Sequence, residues 1–313
     1  MKQLNFSSLF FEVKKRLENK KFPASLAILN DYRVQNLLLL NCEKKDKFQA
    51  ASISKTITSL VTLRLEQEGA VDINEDVSKY LKSYRVTDKE GKVIKVSLKQ
   101  LLTHTAGCTV SGFPGYSLQV KLPSLDQILG GKEPCNTEKV IVDKKLRFKP
   151  GYSGGGFMVI QKVLEDVTGK RFEKLAKEKI FRPLSMNNSD FKNRKVKNSK
   201  IHPERAAAGL WTTSEDLAKL LVELQLSYNG ESNKILKKKM IRKMLRSYII
   251  DRDCLVGLGI YLTKNKKFFF HNGRNYNYQR KMWGSFKDGK GAIFLAKSEE
   301  NYEFIKKAIS SMI

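Results

Sequence analysis

Cysteine, histidine and acidic residues are all scarce in this chain. Four cysteines in 313 residues are too few for a disulfide scaffold. Cys42, Cys108, Cys135 and Cys254 form no C-x-x-C pair, which excludes a zinc knuckle and a thioredoxin-type motif. The three histidines, His104, His202 and His271, stand at no metal-ligand spacing, so neither a metal nor a cofactor is assigned. Long apolar runs are also missing. Stretches such as Val34–Leu40 and Tyr248–Ile250 fall far short of the roughly 18 residues that a membrane-spanning helix takes. Met1–Lys20 lacks the continuous apolar segment of a secretory signal. With thiols suited to a reducing compartment, this leads to the expectation of a cytoplasmic protein.

The shortage of acid is the most unusual feature. Against 32 Asp+Glu stand 59 Lys+Arg, a formal net charge of +27. Such a charge points to nucleic acid, to an anionic surface or to a lysine-rich exterior. The 41% of apolar residues excludes global disorder, and the length fits one large domain or two smaller ones.

Periodicity then gives the outline. Phe6, Leu9, Phe10, Val13 and Leu17 recur at helical spacing. Two strand-like runs follow, Ala24–Leu29 and Val34–Leu40, around the turn signal Asn30-Asp31. Ser54–Glu68 reads as a helix with the stripe Ile57, Leu60, Val61 and Leu65, stopped by Gly69. Phe157–Val167 and Asp216–Leu226 read as further helices. From Leu255 the period changes: Gly257–Leu262, Lys267–His271, Lys281–Ser285 and Ala292–Lys297 read as antiparallel strands, and Glu299–Ile313 as a last helix. One α+β unit is expected, with an antiparallel sheet built from both termini and flanked by helices. Residues 1–75 with 205–313 form the sheet-and-helix part, and 76–204 form a mostly helical insert.

Three short segments carry candidate chemistry. In Ser52-Ile53-Ser54-Lys55, a lysine amine lies one helical turn from a serine hydroxyl and can relay its proton. The serine also sits in the positive field of a helix N-terminus. Taken alone, the spacing fits an ordinary N-terminal hydroxyl better, and a second match, Ser189-Asp190-Phe191-Lys192, reads as chance. In Pro150-Gly151-Tyr152-Ser153-Gly154-Gly155-Gly156, the tyrosine offers an acid/base group beside backbone that tolerates close approach, or simply a packing ring in a glycine-rich turn. The same segment matches G-x-S-x-G with Ser153 as nucleophile, but the charged Lys144–Lys149 is a poor buried strand to precede such an elbow. Third, His271-Asn272-Gly273 ends an aromatic strand, where a histidine side chain and bare N–H groups can face a cleft.

The order Ser-x-x-Lys, Tyr-Ser-x, His-x-Gly resembles the serine β-lactamase-like hydrolases: class C β-lactamases, penicillin-binding D-Ala-D-Ala carboxypeptidases and related esterases. The resemblance extends to Leu101-Leu102-Thr103-His104-Thr105-Ala106-Gly107, Val167-Thr168-Gly169, Pro183-Leu184-Ser185-Met186 and Ala208-Gly209-Leu210-Trp211-Thr212-Thr213. It implies a β-lactamase/transpeptidase-like fold and a catalytic set of Ser52, Lys55 and Tyr152. Ser52 would be acylated, and Lys55 and Tyr152 would carry the proton. The oxyanion would meet the N–H groups of Ser52 and of about Arg274, just after His271 and Gly273. The substrate is then a small or peptide-like molecule with an ester, amide or lactam carbonyl.

Departures from the family pattern bend this expectation. Gly154 stands where relatives often carry a substrate-binding asparagine, and His271, partly charged near neutral pH, holds the place of a lysine. Tyr152 directly follows Gly151, so its loop is short, and Asn277 stands where glycine is usual. These changes lean toward esters or amides without a carboxylate. A different class of function also fits the charge: a weakly catalytic fold that binds an anionic partner through basic runs such as Lys237–Arg246.

Overall fold

Residues 6–276 and 278–298 are described by the computed structural model. The expected helix over Glu299–Ile313 and the position of Asn277 lie outside them. Helix α1 (Phe6–Leu17) leads into strands β1 (Ala24–Asn30) and β2 (Arg33–Leu40), joined by a turn in which Asp31 and Tyr32 take φ values of 51° and 58°. A two-residue strand β3 (Phe48–Gln49) precedes α2 (Ser54–Gln67). Then come α3 (Leu98–Leu102), α4 (Leu125–Gly130), α5 (Gly154–Thr168), α6 (Phe172–Ala176) and α7 (Arg205–Ala208). Strand β4 (Trp211–Thr212) pairs with β3, and α8 (Ser214–Asn229) and α9 (Lys238–Met244) follow. Strands β5 (Ile249–Ile250), β6 (Leu255–Val256), β7 (Tyr261–Leu262), β8 (Phe268–Asn275), β9 (Tyr278–Ser285) and β10 (Gly291–Lys297) complete the described chain.

The eight-stranded sheet runs β2-β1-β10-β9-β8-β7-β6-β5, antiparallel at every pairing, so strands from the two ends of the chain meet at β1 and β10. Both faces of its centre are covered. Leu26, Ile28, Trp283 and Phe294 pack with Val13 and Leu17 of α1 on one face. Ala27, Leu29, Met282, Ile293 and Leu295 join the larger core with α2, α5 and α8 on the other. That explains why β1 and β10 read as unbroken apolar runs instead of alternating ones.

Helix α2 is buried almost all round, well beyond its apolar stripe. Its hydroxyls make this tolerable by bonding to carbonyls: Thr56 to Gly259, Ser59 to Leu258, and Thr58 to both Ser54 and Ala206. The expected strand over Gly257–Leu262 is instead two short strands around a turn. Gly259 there takes a φ of 65°, and a Cβ on it would meet Ser59 Cβ at 2.8 Å. Helix α5 starts three residues earlier than expected, because Ser153 caps it and the three glycines form its first turn. Strand β8 continues four residues past His271, because Asn272–Asn275 pair with Tyr278–Lys281 of β9. The basic run near Lys237–Arg246 forms α9, which buries Ile241 and Met244, turns Lys238 and Lys239 outward and bonds Lys243 to Glu66 at 2.6 Å. Among the described residues no helix is long and apolar enough to cross a membrane.

Candidate active site

Ser52 lies in a single 3-10 turn, Ala51–Ile53, that feeds straight into α2. The turn is strained: Ala51 has a φ of 48°, in the left-handed region that side chains disfavour. Its surroundings hold it there. Ala50 N–H donates to Leu210 at 2.7 Å, the Ser54 hydroxyl donates to Ala51 at 2.5 Å, and Leu210 N–H donates to Ser54 Oγ at 3.0 Å.

Two side chains converge on the Ser52 hydroxyl. Tyr152 O–H donates to Ser52 Oγ at 2.5 Å from the loop that enters α5. The Lys55 ammonium donates to the same oxygen at 3.3 Å and to the Ala207 carbonyl of α7 at 2.8 Å. It also lies 4.8 Å from the centre of the Tyr152 ring, a cation–π distance. Lys55 is 2% exposed and has no carboxylate within ion-pair distance among the described residues. The short loop after Gly151 therefore still brings the tyrosine to the serine.

Two histidines flank this lysine, and the sequence reading of one needs correction. His271 does not end its strand and does not open to solvent; it is buried in the middle of β8. Burial, with the Lys55 charge nearby, pushes its pKa down to about 3, so it is neutral and not partly charged at pH 7. The Asn272 carbonyl lies 2.8 Å from Nδ1 and can only accept, so the proton sits there and Nε2 is left as a bare acceptor. His104, fully buried, is likewise held well below its ordinary pKa by desolvation first and Lys55 second. Its Nδ1 accepts the Ser153 N–H at 3.1 Å and its ring lies 4.7 Å from that of Tyr152, so it steadies the tyrosine loop. The sequence marked His104 only as one letter of a signature.

These depressed values make stability depend on pH. An unfolded histidine takes a proton near pH 6.5, whereas His271 in the fold resists until about 3. The unfolded state binds more protons throughout that window, so stability falls as the pH drops through it. For His271 alone the loss between pH 6.5 and 5 is about 2 kcal/mol. Urea unfolding across that range measures it. His271→Gln should flatten the dependence, and an unchanged slope would overturn the assignment.

Gly273 brings β8 against the Ser52 turn. A Cβ there would meet the Ala50 carbonyl oxygen closer than any real contact allows, with Ala51 Cβ at 3.3 Å. Arg274, next in the strand, turns its side chain out and lines a cavity of about 510 Å³ with Phe113, Tyr276 and Gln279. Gly154 lies apart from the serine's hydrogen-bond partners. It is buried under Phe113, whose ring carbon would stand 2.9 Å from an added Cβ, and its N–H is bonded to the Ser111 carbonyl at 2.9 Å. Phe113 thus fills the room a longer residue at 154 would need, a relation no local pattern reveals.

The remaining candidates separate cleanly. Ser153 is no elbow: its hydroxyl donates to the Val110 carbonyl at 2.8 Å and caps Gly156 at 3.1 Å, and no strand precedes it. In the second S-x-x-K match, Ser189 is tied to Asp216 at 2.8 Å while Lys192 faces solvent. Among the described residues no cluster of three or more potential metal ligands occurs.

An antiparallel sheet covered by helices, with a serine at the head of a buried helix and a lysine one turn on, is the architecture of the serine β-lactamases and penicillin-binding proteins. The chain belongs to the beta-lactamase family, whose profile it matches over residues 19–309. Among its relatives is protein flp of Staphylococcus aureus (strain MRSA252), 25% identical over 291 residues that cover 85% of this chain and 55% of flp. Another is the teichoic acid D-alanine hydrolase of the same strain, 24% identical over 242 residues, 68% of this chain and 57% of that protein. The chain spans little more than half the length of these relatives. Among solved structures, the D-amino acid amidase from Ochrobactrum anthropi SV3 superposes with a TM-score of 0.76 at 16% identity, covering 98% of this chain and 97% of that one.

Proposed function

We propose that the protein is a serine hydrolase that cleaves an ester or amide carbonyl through an acyl-enzyme on Ser52. The observation that carries this reading is the convergence of the Tyr152 hydroxyl and the Lys55 ammonium on one serine oxygen. Ser52 Oγ attacks the carbonyl carbon as its proton passes to the Lys55–Tyr152 pair, which acts as base in the form that has already released one proton to solvent. The N–H groups of Ser52 and Arg274 hold the oxyanion. The pair then returns the proton to the leaving oxygen or nitrogen as its bond to carbon breaks. Water adds to the acyl carbonyl by the reverse path and releases the acid.

Esters and amides without a nearby carboxylate are favoured because neutral His271 supplies no cation to meet one. The hydrolase and amidase among the similar proteins make D-aminoacyl esters and amides the first substrates to test.

A fluorophosphonate probe read by intact-protein mass spectrometry decides the nucleophile. Wild type and Ser153→Ala should each gain one adduct and Ser52→Ala none, with Ser153→Ala about 1 kcal/mol less stable through its lost helix cap. Labelling that survives Ser52→Ala but not Ser153→Ala would transfer the role to Ser153.

A further inference from the structure

The segment 199–210 cradles the Ser52–Lys55 unit from outside. Gln49, just before the Ser52 turn, donates to the Ser199 hydroxyl at 2.9 Å and to the Lys200 carbonyl at 2.5 Å. The Ala206 carbonyl accepts from the Thr58 hydroxyl at 2.8 Å, and the Ala207 carbonyl from the Lys55 ammonium at 2.8 Å. Beyond them Leu210 meets Ala50 and Ser54. Helix α7 in the middle has only four residues, too few to hold itself in place. The turn that enters it therefore sets where its carbonyls point.

That turn is an inverse γ-turn. Arg205 N–H donates to the Pro203 carbonyl at 2.8 Å, and Glu204 at its centre has a φ of −72° and a ψ of 69°. Two side chains meet across it. His202 Nδ1 lies 3.6 Å from a Glu204 carboxylate oxygen, and the two side chains are 3% and 0% exposed. Apart from each other, neither ring nitrogen and neither carboxylate oxygen has a polar partner among the described residues. Arg205, the next cation along the chain, turns to Glu173 instead. The imidazole is wedged against Gly115, where an added Cβ would stand 2.7 Å from its Cε1 and Nε2. A carboxylate sealed from water beside this imidazole alone is tolerable only if the pair holds a proton. Such pairs generally cost stability relative to apolar residues of the same volume.

We propose that His202 and Glu204 are positioning residues for the reaction at Ser52. Their clasp fixes the γ-turn, the turn aims α7, and the Ala207 carbonyl thereby holds the Lys55 amine against Ser52 Oγ. The proposal rests on the hydrolase reading for the role of Lys55. The aim of α7 itself is measured with no substrate present, so a failure to label Ser52 leaves that result standing.

The test is single-turnover acylation of the full chain by an activated ester. His202→Leu/Glu204→Met replaces the pair with apolar side chains of similar volume. It should slow saturated acylation about tenfold, because a misplaced proton-transfer group is costly, without lowering the melting temperature. The half-saturating ester concentration should stay within about threefold, since no substrate contact is lost. Each single change should slow acylation about as much as the double, because residues that act as one unit are not additive. Glu204→Gln keeps the shape and can donate to Nδ1, so it should stay within about threefold of the wild-type rate. Amide exchange gives the reading that needs no substrate. The N–H groups of Ala207 and Ala208 donate to the Glu204 carbonyl at 3.1 and 2.8 Å. They should exchange about tenfold faster in the double variant, with those of β1 unchanged. Wild-type acylation and exchange in the double variant would overturn the clasp. So would additive losses in the single variants, or a Glu204→Gln variant as slow as the apolar one. A rate loss that merely tracks a fall in melting temperature would reduce the pair to structure and overturn its positioning role.

Discussion

Replacing Lys55 with methionine is expected to slow acylation of Ser52 by about 10²- to 10⁴-fold, the usual worth of a positioned proton-transfer group. The expected loss is large because the amine has no substitute at its place. Lys55 is the one cationic side chain hydrogen-bonded to Ser52 Oγ among the described residues, and the histidines around it are neutral. Methionine keeps most of the volume of a side chain that is 2% exposed, so the core beneath the site stays filled. Its structural penalty is confined to the Ala207 carbonyl, which loses a donor at 2.8 Å. Leaving such a group unpaired costs about 1–3 kcal/mol, against a gain from no longer burying an ammonium. Single-turnover acylation by an activated ester, with thermal melting alongside, separates the two effects. Tyr152→Phe removes only the 2.5 Å bond and provides the comparison. If Lys55→Met acylates at the wild-type rate, the proton leaves Ser52 through Tyr152 alone and the lysine serves structure.

What the sequence disclosed about this site follows the reach of local rules. The approach of Lys55 to Ser52 was legible because helical geometry fixes their separation, but only the ordered motifs around them set this pair apart from Ser189 and Lys192. The sheet was legible because β1, β8, β9 and β10 each carry enough apolar residues to declare themselves. Tyr152 was legible only as one of two readings, since its meeting with Ser52 spans 100 residues of chain. The state of His271 was not legible at all. Its low pKa arises from burial within the sheet and from a lysine on another element, and neither is written near it. The same holds for Phe113 over Gly154, a contact made when the loop 108–113 folds against the first turn of α5. Local signals also left two readings where glycine was concerned. The three glycines after Ser153 read either as a turn or as backbone open to close approach, and it is the second that holds, inside a helix: a Cβ on Gly155 would stand 3.0 Å from Val110 and Val140.

Arg280 yields the second large expectation, one of opposite sign. It lies in β9 between Gly273 of β8 and Leu295 of β10, 1% exposed, and none of its three guanidinium nitrogens has a hydrogen-bond partner among the described residues. The Tyr278 ring lies 4.4 Å from its central carbon, and burial drives its pKa well below the usual arginine value. A buried charge without a counter-ion is among the most costly features a fold can hold, and replacing buried charges with apolar groups of similar volume often stabilises by about 1–4 kcal/mol. Arg280→Met is therefore expected to raise the melting temperature by about 1.5 °C for each kcal/mol gained. Arg280→Ala removes the same charge but opens a cavity against Leu295, so it should gain less or lose stability. Urea unfolding of both variants checks the order, and a methionine variant that melts below wild type would show that the guanidinium has a favourable partner. The position gives the result a functional reading. Gly273, directly opposite Arg280, is the residue that lets β8 approach Ala50 and the serine turn. A methionine variant that gains stability while acylating more slowly would mean that the strand beside Ser52 is kept under strain for the reaction, the exchange of stability for activity common at such sites.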